Sequence, residues 1–304
     1  MVETANHYLR DEHTPVAGER TDMELPVVGT LPPELNGIFA RNSGNPRFTP
    51  EGRYHWFDGD GMVHGIHLED GQATYRNRYI RTPQFQAEEE AGRALWRGIM
   101  EPLDLSNPLG PLKDTANTDL VWHNGRLLAL WWLSGTPQVL TVPDLESQGP
   151  ATFDGRLKGS MASHAKVDPR TGDLVFFGFS IARRPYYHFG VVSADGSDVH
   201  LVPLDLPRAH IPHDIAITER FTILLDLPLG WDREAMARGK RRIGFDREVP
   251  GRIGVVPRRG EAGDVRWFEV PPCYVYHTIG AYEDGDEVVL TACRIEDMIP
   301  DAPD

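Results

Sequence analysis

Cysteine is scarce in this sequence, since Cys273 and Cys293 are the only two among 304 residues. Two cysteines are too few for a disulfide framework or a cysteine-based metal site, and they suit a reducing compartment. The sequence also lacks a run of about 20 apolar residues, the length that a membrane-spanning helix needs. The first thirty residues carry charges where a signal peptide would need an apolar run. We therefore expect a cytoplasmic protein.

Positive charge is in the minority, with 31 Lys and Arg against 45 Asp and Glu and a net charge of −14. Such a surface repels a phosphate backbone, which argues against a nucleic-acid partner. The hydrophobic content of 40% is that of an ordinary folded protein. Composition therefore points to a globular protein that does not bind nucleic acid.

Long helical windows are few, and 30 Gly and 25 Pro are spread along the whole chain. The best amphipathic windows, Gln86–Met100 and Asp232–Arg242, predict one helix each. The second window carries a basic cluster, Arg238 and Lys240–Arg242. We interpret this cluster as a solvated helix end, because four charges give only modest affinity for lipid, and we expect at most peripheral membrane contact.

Short alternating or apolar runs, bounded by turn residues, predict at least nine β-strands. These runs are Gly37–Arg41, Met62–Leu68, Ala73–Tyr79, Leu127–Leu133, Leu174–Phe179, Phe221–Leu227, Arg252–Pro257, Val265–Val270 and Glu287–Cys293. Tight turns are predicted at Glu69–Gly71, Arg170–Asp173 and Glu283–Asp286. The pattern favours an all-β fold in one domain over residues 1–304, with a β-propeller preferred to a sandwich or a barrel.

Three of the twelve histidines share a local setting at the edge of a predicted strand: His164, His213 and His277. They are spaced by roughly 50 and 65 residues, about one propeller blade each, which would bring one imidazole per blade together. Converging neutral imidazoles suit a borderline ion such as Fe(II), Zn(II) or Cu(II). Spacing alone leaves open that each histidine packs in the core or faces solvent.

Seven motifs, in order along nearly the whole chain, resemble the carotenoid cleavage oxygenase family, which includes apocarotenoid and stilbene cleavers and the retinoid isomerase of the visual cycle. The motifs are Leu31–Pro46, His55–His64, Tyr75–Thr82, Ala116–Thr118, His213–Thr218, Asp226–Leu229 and Arg252–Arg258. The resemblance implies a seven-bladed β-propeller, of which this chain would contain about the first four to five blades.

The resemblance also implies a non-haem Fe(II) bound by four histidines, of which His164, His213 and His277 match the first three. The family reaction is oxidative cleavage of an alkene by O2 into two carbonyl products. Because the metal supplies the redox chemistry, no protein nucleophile or acid/base pair is expected. We therefore do not interpret Asp58, Asp60 or Asp214 as catalytic.

Three departures from the family pattern stand out. Trp132 occupies the position of a glutamate that hydrogen-bonds a ligand imidazole, and Gly280 replaces an asparagine after the third histidine, which would loosen that strand. The sequence also stops at Asp304, before the region where the family places its fourth histidine. We therefore expect a C-terminally truncated member with little or no activity by itself. His188 and His210 lie outside the family's ligand motifs, so neither is expected to replace the fourth ligand.

The leading interpretation is an Fe(II)-dependent dioxygenase that cleaves a carotenoid or apocarotenoid, with Tyr79, Trp131 and Trp132 as aromatic walls for the polyene. A stilbene double-bond dioxygenase is the nearest alternative. In the stilbene cleavers a lysine precedes the glutamate mentioned above, and Trp131 stands there instead, which favours the apolar polyene. A third alternative is a metal-free, non-catalytic propeller remnant that binds an apolar ligand.

Overall fold

The computed structural model describes residues 6–232, 234 and 243–296. The chain divides into two compact units. Unit 1 comprises Met1–Trp131 and Pro137–Ala151, and unit 2 comprises Trp132–Thr136 and Thr152–Asp304. The expectation of one domain over residues 1–304 stays a prediction, and the two units are described separately below.

Unit 1 is built from two four-stranded antiparallel sheets. The first has the order β1-β4-β3-β2 and consists of β1 (Arg20–Asp22), β2 (Gly37–Gly44), β3 (Gly61–Glu69) and β4 (Gln72–Tyr79). The second runs β5-β6-β7-β8 and consists of β5 (Asp119–His123), β6 (Arg126–Leu130), β7 (Gln138–Leu140) and β8 (Ser147–Pro150). Apolar residues of both sheets form one buried cluster, which includes Val63, Leu127, Ala129 and Leu140.

The helix of unit 1, α1 (Pro83–Ala91), is shorter than the sequence pattern suggested. It begins at Thr82, whose side chain accepts a hydrogen bond from the backbone N–H of Phe85, and Pro83 occupies the first turn. It ends at Gly92, which adopts a left-handed conformation (φ 67°) and caps the last turn. The predicted helix over Gln86–Met100 is therefore wrong beyond Ala91, because the C-cap glycine stops it.

Unit 2 contains two further four-stranded antiparallel sheets and two hairpins. One sheet has the order β12-β11-β10-β9, from β9 (Lys166–Val167), β10 (Leu174–Phe179), β11 (Tyr187–Val192) and β12 (Val199–Leu204). The other runs β13-β14-β17-β18, from β13 (Ala216–Ile217), β14 (Phe221–Asp226), β17 (Gly251–Pro257) and β18 (Arg266–Val270). The hairpins pair β15 (Leu229–Trp231) with β16 (Ile243–Phe245) and β19 (Thr278–Asp284) with β20 (Glu287–Ala292).

Single turns of 3₁₀ helix and tight turns also occur in the described chain. The 3₁₀ turns are His7–Leu9, Asp11–His13, Trp56–Asp58 and Ala262–Asp264. The turn between β3 and β4 uses Asp70 and Gly71 at positive φ (50° and 73°), as the Asp-Gly pair predicted. Gly172 and Gly285 also have positive φ, at the other two predicted turns.

The nine predicted strands are all present, with ends that differ by a few residues, so the all-β prediction is confirmed. Four-stranded antiparallel sheets are the units from which propeller blades are made. Four such sheets and the β19–β20 hairpin agree with the expected four to five blades. The predicted helix over Asp232–Arg242 and its basic cluster lie, apart from residues 232 and 234, outside the described residues. Among those described, no helix is long and apolar enough to cross a membrane.

Candidate metal centre

Each of the three predicted histidines lies just before the first strand of a sheet in unit 2. One residue separates His164 from the start of β9, two residues separate His213 from the start of β13, and β19 begins directly after His277. All three strands are edge strands, and β9 and β13 are only two residues long. The three histidines thus occupy loop positions at the entry to edge strands.

The three imidazoles meet at one point. One nitrogen from each ring lies within 4.8 Å of a nitrogen of the others. The ring centroids of His164 are 4.9 Å from those of His213 and 4.8 Å from those of His277, and the His213 and His277 centroids are 5.2 Å apart. In the part of the chain that the structure describes, no other group of three or more His, Cys, Asp or Glu side chains has metal-ligand geometry.

The backbone at His164 is unusual, because this residue has a positive φ of 66°. The left-handed region is uncommon for residues other than glycine and costs of order 1–3 kcal/mol unless the surroundings enforce it. Two backbone hydrogen bonds hold the preceding segment: Met161 N–H donates to Gly135 O, and Ala162 N–H donates to Phe177 O, both at 2.8 Å. The strained backbone aims this imidazole at the other two.

The surroundings of His213 favour a neutral imidazole. Burial, together with the nearby rings of His164 and His277, lowers the pKa of His213 to about 3. This side chain is therefore unprotonated at neutral pH, and its lone pair is available to a cation. His164 is half-buried, whereas His277 is exposed.

A buried carboxylate, Asp214, follows His213 directly in the chain and is 1% exposed. Its Oδ2 accepts hydrogen bonds from the backbone N–H and the hydroxyl of Thr278, at 2.8 and 2.9 Å. Its Oδ1 accepts from the backbone N–H of Ile215 at 2.8 Å and lies 2.6 Å from the Lys166 ammonium. The carboxylate thus joins the chain segments that carry all three histidines.

Two tyrosines pack beside the cluster. The Tyr276 ring meets His213 edge-on, with centroids 5.3 Å apart at 89°, and it packs at 5.1 Å on Tyr274. The Tyr274 hydroxyl donates to Ile211 O at 2.8 Å, which ties the segment before His277 to the segment before His213. Tyr276 is 41% exposed, so an aromatic face is available next to the imidazoles.

The three predicted substrate-contacting residues differ in their settings. Tyr79 is 5% exposed in unit 1, where it packs on Phe85 and its hydroxyl oxygen accepts a hydrogen bond from the Asn45 side-chain amide, so it supports the core there. Trp131 is 8% exposed and also belongs to unit 1. Trp132 belongs to unit 2 and is half-buried. Their contact with a substrate stays a prediction.

The two histidines considered as substitute ligands have other partners. The His188 Nε2 is 2.7 Å from Ser160 O, and burial lowers the pKa of this imidazole. The His210 Nδ1 is 2.6 Å from the Asp226 carboxylate. Neither belongs to the three-histidine group.

Sequence reasoning missed Asp214, Lys166, Thr278 and Tyr276. From the sequence alone, Asp214 is interpreted only as non-catalytic and is assigned no structural role. The available signal was position, since Asp214 and Thr278 directly follow a candidate ligand and Lys166 follows one by two residues. Their convergence depends on contacts between distant segments, which a local pattern does not reveal.

The donor set fits a borderline transition-metal ion. Imidazole nitrogen is a good ligand for Fe(II), Zn(II) and Cu(II), and three histidines leave further coordination positions for small molecules. The low pKa of His213 keeps a proton from competing for its nitrogen. The three histidines therefore suit a transition-metal ion that keeps open positions for a reactant.

Comparison with known proteins agrees with this picture. The sequence profile of the retinal pigment epithelial membrane protein family matches residues 13–304. A carotenoid 9,10(9',10')-cleavage dioxygenase of Crocus sativus is 39% identical over 316 residues, covering 95% of this chain and 57% of that protein. A carotenoid cleavage oxygenase of Mycobacterium tuberculosis is 33% identical over 335 residues, covering 95% of this chain and 65% of that protein.

Among solved structures, the lignostilbene dioxygenase of Pseudomonas brassicacearum superposes with a TM-score of 0.84 at 32% identity. The match covers 93% of this chain and 60% of that one. The chain belongs to the retinal pigment epithelial membrane protein family, that of the carotenoid cleavage oxygenases, as the motifs predicted. The chain spans 57% and 65% of the two curated relatives described above. Its fold is the corresponding part of the β-propeller of its structural neighbours.

Proposed function

We propose that this chain provides three metal ligands, His164, His213 and His277, to an Fe(II)-dependent dioxygenase that cleaves a C=C bond of a carotenoid or apocarotenoid. The observation that carries the proposal is the meeting of three imidazoles within 4.8 Å. The similarity to a carotenoid 9,10(9',10')-cleavage dioxygenase at 39% identity supports the substrate class.

The proposed reaction adds both atoms of O2 across one alkene, so that the C=C and O–O bonds break and two carbonyl groups form. Bound iron would supply the O2 chemistry, for which protein side chains alone are unsuited. The histidines would hold the ion while remaining neutral, so the ion would keep its full positive charge. The exposed ring of Tyr276 would offer an apolar face to a conjugated chain beside the ion.

Cleavage of a stilbene-type double bond is the second candidate, and the similarity to lignostilbene dioxygenase favours it. Against it stands Trp131, at the position where the stilbene cleavers have a lysine that holds the phenol hydroxyl. The Trp131 side chain is 8% exposed and carries no charge. We therefore place the polyene first.

The proposal includes a cytoplasmic location and no nucleic-acid partner. The net charge of −14 supports the second point, since it disfavours binding to a polyanion. Two free cysteines, one buried and one exposed, are compatible with a reducing compartment.

The experiment is reconstitution of the purified chain with Fe²⁺ under nitrogen, followed by measurement of bound iron and of binding to an apocarotenal and a hydroxystilbene. From a chain extended to the length of its relatives we expect stoichiometric iron, lost in His213→Ala and kept in His188→Ala, and carbonyl products from the apocarotenal when O2 is admitted. From the 304-residue chain alone we expect little or no product. Carbonyl products from the stilbene alone would favour the second candidate. Binding of the apocarotenal without iron would instead indicate the metal-free binder.

A further inference from the structure

We propose that Asp214 is a positioning residue that holds the three histidine-bearing segments of unit 2 in a single arrangement. The inference rests on the proposed function in one respect, namely that the histidines bind a metal. It assigns a role to a residue that has no direct place in the chemistry.

The contacts of Asp214 use its whole acceptor capacity. An ionised carboxylate offers about four lone-pair sites. The four donors are the backbone N–H of Ile215, the backbone N–H and hydroxyl of Thr278, and the ammonium of Lys166. Because Asp214 is 1% exposed, bulk water does not replace a lost acceptor, and an amide nitrogen in place of one oxygen would face these donors with a donor.

The partners of Asp214 lie next to the three histidines in the sequence. Asp214 follows His213, Thr278 follows His277, and Lys166 lies two residues after His164. A shift of any of the three segments therefore moves a histidine together with either the Asp214 carboxylate or one of its hydrogen-bonding partners. Ligand groups must be held to within roughly 0.5 Å for a productive site, and supporting hydrogen bonds are the usual means.

The three segments need such support because the short or irregular strands that follow the histidines contribute few backbone hydrogen bonds. β9 and β13 have two residues each, and the pairing of β19 with β20 has an irregular register between Thr278 and Gly280. The Thr278 hydroxyl, whose one proton goes to Asp214, also lies 3.2 Å from Ile215 O, so the two loops are in contact at this point. The carboxylate therefore supplies order that the sheets do not.

The alternative is that Asp214 forms an ordinary buried ion pair that does not position the histidines. Asp226, a buried carboxylate in an ion pair, allows the two explanations to be compared. Asp226 is 2% exposed, lies 2.6 Å from His210 Nδ1 and pairs with the Arg252 guanidinium. Its burial and charge resemble those of Asp214, but none of these partners adjoins His164, His213 or His277 in sequence. Asp226→Asn is therefore the matched control for Asp214→Asn.

The first test is a titration of the metal-free chain with Co²⁺ alone, followed by its visible absorption spectrum. We expect Asp214→Asn to weaken Co²⁺ binding roughly 10- to 100-fold, the range found when a group that supports metal ligands is lost, and to change the spectrum. Asp226→Asn should lower stability and leave both the affinity and the spectrum as in the wild type. An unchanged affinity and spectrum in Asp214→Asn, or equal losses in both variants, would overturn the proposal.

The second test needs no metal and separates the two proposals. Hydrogen exchange of peptides covering residues 161–167, 211–217 and 275–280 should become faster in all three segments of Asp214→Asn, and in none of them in Asp226→Asn. If the wild-type chain bound no Co²⁺, the metal proposal would fail, and the exchange data would still decide whether Asp214 holds the segments. Unchanged exchange in Asp214→Asn would overturn the positioning role.

Discussion

The imidazole rings of His164 and His277 lie 4.8 Å apart between centroids, at an angle of 79°, although one precedes β9 and the other precedes β19. Rings at this distance and angle can present nitrogens to a common ion. Because the three histidines come from different loops, each can be replaced by itself and its effect on metal binding measured.

Removing one imidazole should weaken Co²⁺ or Fe²⁺ binding by more than about 100-fold, since even an outer partner of a ligand is worth roughly 10- to 100-fold. The variants are His164→Gly, His213→Ala and His277→Ala. Glycine is chosen at position 164 because it accepts the positive φ without strain. The measurement is a metal titration of each purified variant.

His188→Ala and His210→Ala are the controls for this series, because both side chains have partners other than the three histidines. They should retain wild-type metal binding. Wild-type binding in all three ligand variants would instead show that these histidines serve the fold.

Trp132→Glu should raise iron affinity by roughly 10- to 100-fold if the carboxylate reaches a ligand imidazole, because such a partner orients the ring and makes it more basic. Trp132 is half-buried in the same unit as the histidines. Trp132→Gln controls for the loss of the indole. Equal or weaker binding in the glutamate variant would indicate that burying the charge costs more than the partner contributes.

Lys113→Met should destabilise unit 1 by about 3–5 kcal/mol, because it leaves two buried carboxylates without their cation. The Lys113 ammonium lies 2.6 Å from both Asp60 and Glu88. Burial alone would lower the pKa of Lys113, but these two carboxylates raise it above its ordinary value. Urea unfolding measures the loss, and the added substitutions Asp60→Asn and Glu88→Gln should recover much of it. If Lys113→Met alone were as stable as the wild type, the ion-pair argument would be wrong.

Acid should remove one stabilising contact of unit 2. A hydrogen bond from the Thr218 hydroxyl, with others from Arg220, lowers the pKa of Glu283 to about 2. Because this pKa is below the ordinary value of 4.5, the contribution is present above about pH 4.5 and is lost as the pH falls toward 2. Glu283→Gln and Thr218→Val should each flatten the dependence of the thermal midpoint on pH in this range. The same pH dependence in all three proteins would disprove the assignment.

Gly280→Ala should stabilise the β19–β20 hairpin by about 0.5–1 kcal/mol, because glycine in a strand interior loses more chain entropy than alanine. A Cβ at Gly280 would have no atom within 4 Å. Gly190→Ala is the contrast, since its Cβ would lie 2.5 Å from His200 O and close to the Phe176 ring. Chemical denaturation should show opposite shifts in the two variants. A loss of stability in Gly280→Ala would indicate that the irregular pairing requires glycine.

The sequence predicted the strands well because alternation and Asp-Gly turns are local signals. β10, predicted and observed over the same residues, is buried along its whole length, so its apolar run is continuous. The helix end at Gly92 was missed because the apolar spacing continues past a residue that stops the helix. A single glycine at a C-cap therefore outweighed the periodicity.

The three histidines were predicted from spacing and motif, and the structure brings them together. Asp214 was not, because its role depends on Thr278 and Lys166, which reach it from distant parts of the chain. A carboxylate next to a histidine looks the same in sequence whether it faces solvent or joins three segments. Tyr276 was missed for the same reason, since its edge-on contact with His213 is tertiary.

The two-residue strands β9 and β13 have a thermodynamic consequence. Few ladder hydrogen bonds anchor His164 and His213, so the chain itself leaves part of the ordering of these loops to whatever binds the imidazoles. A ligand that binds only the folded state stabilises it by RT ln(1 + [L]/Kd), which is about 2.7 kcal/mol at a hundredfold excess over Kd. The heat resistance of unit 2 should thus depend on the concentration of free metal, and a chelator should act on it as a mild denaturant.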